Sequence, residues 1–172
     1  PPISKSHIGK FVQACREAGR RGLVRASSGN MSLRIPGGRM LVTASRSWLG
    51  RLTAADISVC RISDGAPLAG RPPSVESAFH AGIFQARPEM HVVLHFQTPC
   101  ATALACRAAP PRNYFVIPEI PFYIGPVAAV PYLPPGSPAL ARAVIGAMRG
   151  HNLAMLANHG QVTAACDLDH AL

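Results

Sequence analysis

Punctuation constrains this chain more than any other feature. Glycine and proline cut it into short apolar segments, at Gly19 and Gly22, Gly37-Gly38, Asp64-Gly65, Pro72-Pro73, Arg87-Pro88 and Asn158-His159-Gly160. No apolar run between them approaches the length that crosses a bilayer. The segments also switch between two periods, one helical and one alternating. Helices and strands of that size bury their apolar faces by packing on one another, so the chain reads as α/β.

The periods place the elements. Ile8, Phe11, Val12, Cys15 and Ala18 recur at helical spacing and predict an amphipathic helix over 5–21. Residues 30–35 and 39–43 flank Gly37-Gly38 and predict a hairpin. Thr53 to Asp56 reads as a short helical turn, and Ile57 to Ile62 as a strand before the Asp64-Gly65 turn. Ser74 is a candidate N-cap for a helix through Gln85, stopped by Arg87-Pro88. Val92 to Phe96 is a buried-type strand, and Pro99 to Arg107 a helix with proline in its first turn. Residues 109–136 carry eight prolines, Pro110 among them. Their β-branched and aromatic residues predict short strands in an ordered, functional loop. Ser137 caps a helix to Met148. Leu153 to Ala157 and Gln161 to Ala165 read as strands around Asn158-His159-Gly160, and Asp167 opens a last helix.

The chain has 172 residues, 48% apolar and 15% charged, which suits one globular domain with a sizeable core. The start, Pro1-Pro2-Ile3-Ser4-Lys5, lacks the layout of a secretory signal. Five cysteines (Cys15, Cys60, Cys100, Cys106, Cys166) are scattered without a C-x-x-C. They argue for a reducing compartment, hence a cytoplasmic location, and most read as small buried hydrophobes. Formal net charge is +9, with the arginines spread along the chain. Without a recognition motif, this charge fits attraction of a small anionic substrate better than nucleic acid. Neither nucleic acid nor a membrane is expected as a partner.

Certain polar residues stand where chemistry is often placed. His95 and Gln97 are two apart at the end of an apolar strand and face the same way. His-x-His there would be a strong zinc pattern. His-x-Gln is weaker, because an amide oxygen binds transition metals less well than imidazole. On spacing alone, satisfying loop backbone groups is the favoured role. His159 follows a second apolar strand, with Gly160 allowing a turn that presents its ring. Glu76 falls in the first turn of a helix, where the helix dipole favours its charge. It can serve as a general acid or base, or form a simple surface pair with His80 at i+4. Ser27-Ser28-Gly29-Asn30 is either a plain turn or an anion cradle. Thr43-Ala44-Ser45-Arg46 adds hydroxyls and a cation.

In order, these pieces resemble the class II aldolase/adducin family, especially its L-fuculose-phosphate aldolase-like enzymes. The matching stretches are Ser28-Gly29-Asn30-Met31-Ser32, Leu41-Val42-Thr43-Ala44-Ser45, Pro73 to His80, Val93 to Pro99, and Asn158-His159-Gly160 with Asp167 to Leu172. The resemblance covers nearly the whole chain. It implies a three-layer α/β/α fold with a largely antiparallel central sheet, as one domain over 1–172, and a further C-terminal segment beyond Leu172. It implies a divalent metal, zinc in the first instance, on His95, Gln97 and His159, with Glu76 as acid/base. Ser27, Gly29, Asn30, Ser45, Arg46 and Ser74 would hold the phosphate of a sugar-phosphate-like substrate. A homo-oligomer, a tetramer in the first instance, is also implied. Three positions depart from the family pattern: Gln97 where a second histidine is usual, Arg46 where glycine is usual, and Val75 where a hydroxyl residue is usual.

The expected function is a metal-dependent lyase that cleaves a sugar phosphate or related hydroxy-carbonyl compound by retro-aldol chemistry. The alternatives are a sugar-phosphate 4-epimerase, a decarboxylase or a dehydratase on the same scaffold, or a non-catalytic adducin-like module. Tyr114 and Tyr123 are candidates for an assisting tyrosine.

Overall fold

A computed structural model of the chain describes residues 3–109, 111 and 113–172. The sequence readings that involve Pro1, Pro2 and Pro110 fall, for those residues, outside the described part.

Eight strands form one sheet. They are β1 (Asn30–Ile35), β2 (Arg39–Thr43), β3 (Ile57–Arg61), β4 (Pro67–Gly70), β5 (Val92–Phe96), β6 (Val127–Val130), β7 (Leu153–Leu156) and β8 (Gly160–Ala165). Their order is β4-β3-β2-β1-β5-β8-β7-β6. Every adjacent pair is antiparallel except β6 with β7. The helices are α1 (Lys5–Arg20), α2 (Ser77–Ala86), α3 (Pro99–Ala105), α4 (Pro138–Met148) and α5 (Leu168–Ala171).

Side chains alternate across the strands, so β2, β3, β5 and β8 each serve two cores. Met40, Val42, Val93 and Val162 point to one face and pack with Phe79, Ile83 and Phe84 of α2 and Leu140, Val144 and Met148 of α4. Leu41, Met31, Leu33 and Leu94 point to the other and pack with Phe11, Cys15 and Ala18 of α1. The result is the α/β/α architecture with a largely antiparallel sheet. Burying each such Leu, Phe or Met contributes about 1.5–3 kcal/mol. Covered faces also explain why β3 is buried at four successive positions.

The caps hold where the sequence placed them at Ser137 and Asp167, which accept from Leu140 N–H (3.1 Å) and His170 N–H (2.8 Å). At α2 the structure differs. The helix begins at Ser77 with Glu76 in the N-cap position, so Ser74 is not its cap. Pro73 bridges Ala44 and Ser74 N–H donates to Thr43 O (3.1 Å), which keeps 72–74 extended against β2. The Ser74 hydroxyl instead accepts from Glu76 N–H at 3.3 Å. Within 109–136, the described residues hold one π-helical turn, Ile120–Ile124, and β6. Strand β4 escaped the sequence reading because all four of its residues are exposed and carry no apolar alternation.

The cysteines need correction. Cys15 and Cys60 are buried, but Cys100, Cys106 and Cys166 are exposed. Cys100 lies in the first turn of α3, of which Ala105 alone is buried, Cys106 follows its last residue, and Cys166 lies past the end of β8. Apolar neighbours in sequence did not mean an apolar environment there.

Candidate functional site

The sheet face under α2 carries a buried polar stripe within an otherwise apolar core. Asn30 and Ser32 come from β1, His95 from β5, and Glu76 and His80 from the start of α2. Antiparallel pairing sets Asn30 opposite His95, and His95 opposite Val162. The β7–β8 turn then brings His159 to the same strand end. Its backbone needs two unusual positions. Asn158 sits at φ +54°, a left-handed conformation that asparagine tolerates. A Cβ on Gly160 would lie 2.6 Å from Phe96 O and 3.2 Å from His95 Cε1, so only glycine lets the turn lie this close. Gly29, at φ +73°, plays the same part on the other side: a Cβ there would meet His95 O at 2.5 Å.

Ser27, Gly29, Asn30, Ser45, Arg46, Ser74, Glu76, His95, Gln97 and His159 all line one cavity of about 360 Å³. Glu76, His95 and His159 stand closest together, with ligand atoms within 4.8 Å of one another. Glu76 Oε2 is 3.5 Å from His95 Nε2, and Glu76 Oε1 is 3.4 Å from His159 Nε2. The His95 and His159 rings meet edge to face with centroids 4.8 Å apart. Gln97 lies on the same side, where its Cγ would be 2.8 Å from a Cβ on Gly160.

The tautomers follow from the partners. His95 Nδ1 faces Gln161 O at 2.8 Å, and a carbonyl can only accept, so Nδ1 carries the proton. The other ring nitrogen, Nε2, faces Glu76. His159 Nε2 faces the other carboxylate oxygen. Burial and the charge of His95 hold the proton affinity of His159 below the usual histidine value, against the raising effect of Glu76. Glu76 Oε1 and His159 Nδ1 are buried with no hydrogen-bond partner among the described residues. Three electron-rich groups that converge in a buried place call for a cation between them. A backbone carbonyl that fixes one ring nitrogen while the other points inward is also the usual support of a metal-binding histidine. The residues present therefore fit a divalent metal.

The hydroxyl residues Ser27, Ser45 and Ser74 also line the cavity. Arg46 is exposed at its rim at φ +61°, a position where glycine costs least. The Ser47 hydroxyl, 6% exposed in a residue that lines the cavity, has no hydrogen-bond partner among the described residues.

Sequence reasoning missed Ser32, Ser47 and the actual place of His80. His80 is not a surface partner of Glu76: it is fully buried, with Nε2 2.6 Å from Asn30 Oδ1 and Nδ1 2.7 Å from Ser32 Oγ. The signal was present in two spacings, Glu76 to His80 at i+4 and Asn30 to Ser32 at i+2.

Residues 9–172 match the family described as Class II Aldolase and Adducin N-terminal domain. The chain is 34% identical over 161 residues to a 3-oxo-tetronate 4-phosphate decarboxylase of Haemophilus influenzae, covering 92% of this chain and 76% of the relative. It is 33% identical over 165 residues to a 5-methylthioribulose-1-phosphate/5-deoxyribulose-1-phosphate aldolase of Escherichia coli, covering 95% and 75%. The structure superposes on L-fuculose-1-phosphate aldolase from Thermus thermophilus with a TM-score of 0.80 and 26% identity, over 97% of this chain and 86% of that one.

Proposed function

Since the chain belongs to the class II aldolase and adducin family and is an enzyme of that type, we propose that it is a metal-dependent lyase. It breaks a carbon–carbon bond beside the carbonyl of a phosphorylated hydroxy-carbonyl compound. One observation carries this reading: the buried Glu76 carboxylate meets two imidazoles in a hydroxyl-lined cavity, His95 at Oε2 and His159 at Oε1, and Oε1 has no hydrogen-bond partner among the described residues.

His95 and His159 would hold the ion, with Gln97 as a third donor; zinc suits two imidazoles and an oxygen. A cation bound there supplies Lewis acidity toward the substrate's carbonyl oxygen. The chain's own residues do the rest. Ser27, Ser45 and Ser74, the Gly29-Asn30 backbone and Arg46 orient the phosphate, so its binding energy holds the reacting carbons at the cavity floor. Glu76 carries the proton to and from the reacting carbon.

A second reading, decarboxylation of a 3-oxo acid phosphate, is supported by Arg46. Such a substrate carries a carboxylate as well as a phosphate, and Arg46 has no ion pair within the described residues. Both reactions leave the electron pair of the broken bond on the carbon beside the carbonyl, so one site serves either. We also propose a cytoplasmic homo-oligomer, with a tetramer as its expected form. The exposed apolar side chains of Val116, Ile117, Phe122 and Tyr123 support assembly. No described helix is long and apolar enough to cross a membrane.

The test is a paired assay on metal-reconstituted protein, following aldehyde release from ketose 1-phosphates and carbon dioxide release from 3-oxo acid phosphates. Glu76→Gln should lower turnover by about a thousand-fold or more while the ion stays bound. Absence of any bound divalent ion after reconstitution would overturn the metalloenzyme reading.

A further inference from the structure

We propose that Ser32, His80 and Asn30 form a polarised hydrogen-bond chain that fixes the Glu76 carboxylate through Oε2. This rests on the assignment of Glu76 as the acid/base.

The direction of each bond is set by what its partners can do. Asn30 Nδ2 lies 2.9 Å from Glu76 Oε2 and donates to it. The other end of the same amide, Oδ1, lies 2.6 Å from His80 Nε2 and can only accept, so Nε2 carries hydrogen. A neutral His80 then has a bare Nδ1, which accepts from the Ser32 hydroxyl at 2.7 Å. His80 is neutral because complete burial pushes its proton affinity far below that of free imidazole. Turning the Asn30 amide over would set its oxygen against the Glu76 carboxylate, whichever tautomer His80 then adopted. One orientation therefore satisfies all four groups.

The chain interlocks two elements. Asn30 and Ser32 are two apart on β1 and share a face, while Glu76 and His80 are four apart along α2. Every member is at least nine-tenths buried. The chain cannot move a proton to Glu76, because a carboxamide N–H does not give one up. It orients instead. With Oε2 held by a donor, rotation of the carboxylate is restrained, and the buried Oε1 faces His159 Nε2 without a hydrogen-bond donor of its own. Asn30 and His80 are in this sense positioning residues.

The first test needs no turnover. Nitrogen-15 spectra of histidine-labelled protein should show His80 near neutral pH as the Nε2–H tautomer with unprotonated Nδ1. The opposite tautomer, or a cationic ring, overturns the chain. Kinetics provide the second. His80→Leu should lower kcat by about ten- to a hundred-fold with KM within about two-fold, since orientation and not binding is lost. His80→Gln restores an N–H toward Asn30 Oδ1 and should return kcat to within about three-fold of wild type at equal metal content. A His80→Gln protein that folds, holds its metal and is as slow as a core-disrupting variant overturns the proposal. If His80→Leu does not fold, His80→Gln and the tautomer decide it. A wild-type protein inactive on every phosphorylated hydroxy-carbonyl compound defeats the functional reading alone, because the tautomer still reports on the chain.

Discussion

Arg46 is held in a left-handed backbone conformation, φ +61°, that costs an L-residue about 1–2 kcal/mol relative to its ordinary regions. It stands at the rim of a cavity whose lining hydroxyls include the buried, unpartnered Ser47 Oγ. A cation held in a strained backbone, with an unpartnered hydroxyl in the same cavity lining, fits the proposed anion site. Arg46→Gly should raise unfolding free energy by about 0.5–1 kcal/mol and raise KM for phosphorylated substrates about ten-fold with little change in kcat. Urea unfolding and steady-state kinetics check both halves, and a KM unchanged within error would remove Arg46 from substrate binding. At this scale spacing left His95, His159 and Glu76 ambiguous, because polar residues at strand ends and helix starts often only satisfy nearby backbone groups; the ordered family resemblance is what grouped them. The sequence told less about His80. Spacing at i+4 shows that two helical residues share a face, but not whether the sheet covers that face. The partners of His80 lie 48 and 50 residues away, and only tertiary pairing brings them together.

Among the elements, the junction of β5 with β8 governs the site. Its register, Phe96 opposite Gln161 and His95 opposite Val162, delivers one histidine from a strand and the other from a turn. The sequence signalled both strands and the intervening turn, since apolar runs bounded by Asn-His-Gly leave little choice. It could not signal the closeness of the two ends, which depends on Gly160. A Cβ at that position would lie 2.6 Å from Phe96 O and 2.8 Å from Gln97 Cγ. Gly160→Ala should therefore push the strand ends apart, destabilise the protein by about 1–3 kcal/mol and weaken divalent-metal binding about ten-fold or more. Gly9→Ala on α1 is the control. Nothing lies within 4 Å of a Cβ there, and helix propensity predicts a gain of up to about 1 kcal/mol. Calorimetric titration of zinc into both variants separates a local effect on the site from a general loss of stability.

For the molecule as a whole, a buried polar stripe inside a covered sheet ties stability to pH. The proton affinity of His80 falls to about 3 in the folded chain, against 6.5 for the free group, chiefly by burial and secondarily by the charge of His95. Between those values the unfolded chain binds a proton at this residue and the folded chain does not. The contribution is therefore fully present above 6.5 and is lost progressively as pH falls toward 3. One such group changes unfolding free energy by at most about 1.4 kcal/mol per pH unit. His159 is shifted the same way and adds to the slope. Half-buried Asp56 and exposed Asp64 and Asp167 are also held below their usual value, but as carboxylates they lose their share at lower pH. The window just below neutral thus belongs to the buried histidines. His80→Gln removes one of them and keeps the other. Wild-type unfolding free energy should fall between about pH 6.5 and 4.5, and the variant's should fall less, so that the two curves approach by about 1–2 kcal/mol. Urea titrations of both proteins across that range measure the convergence. Parallel curves would mean that His80 takes up its proton in the folded protein as readily as in the unfolded one, which its closed chain of partners forbids.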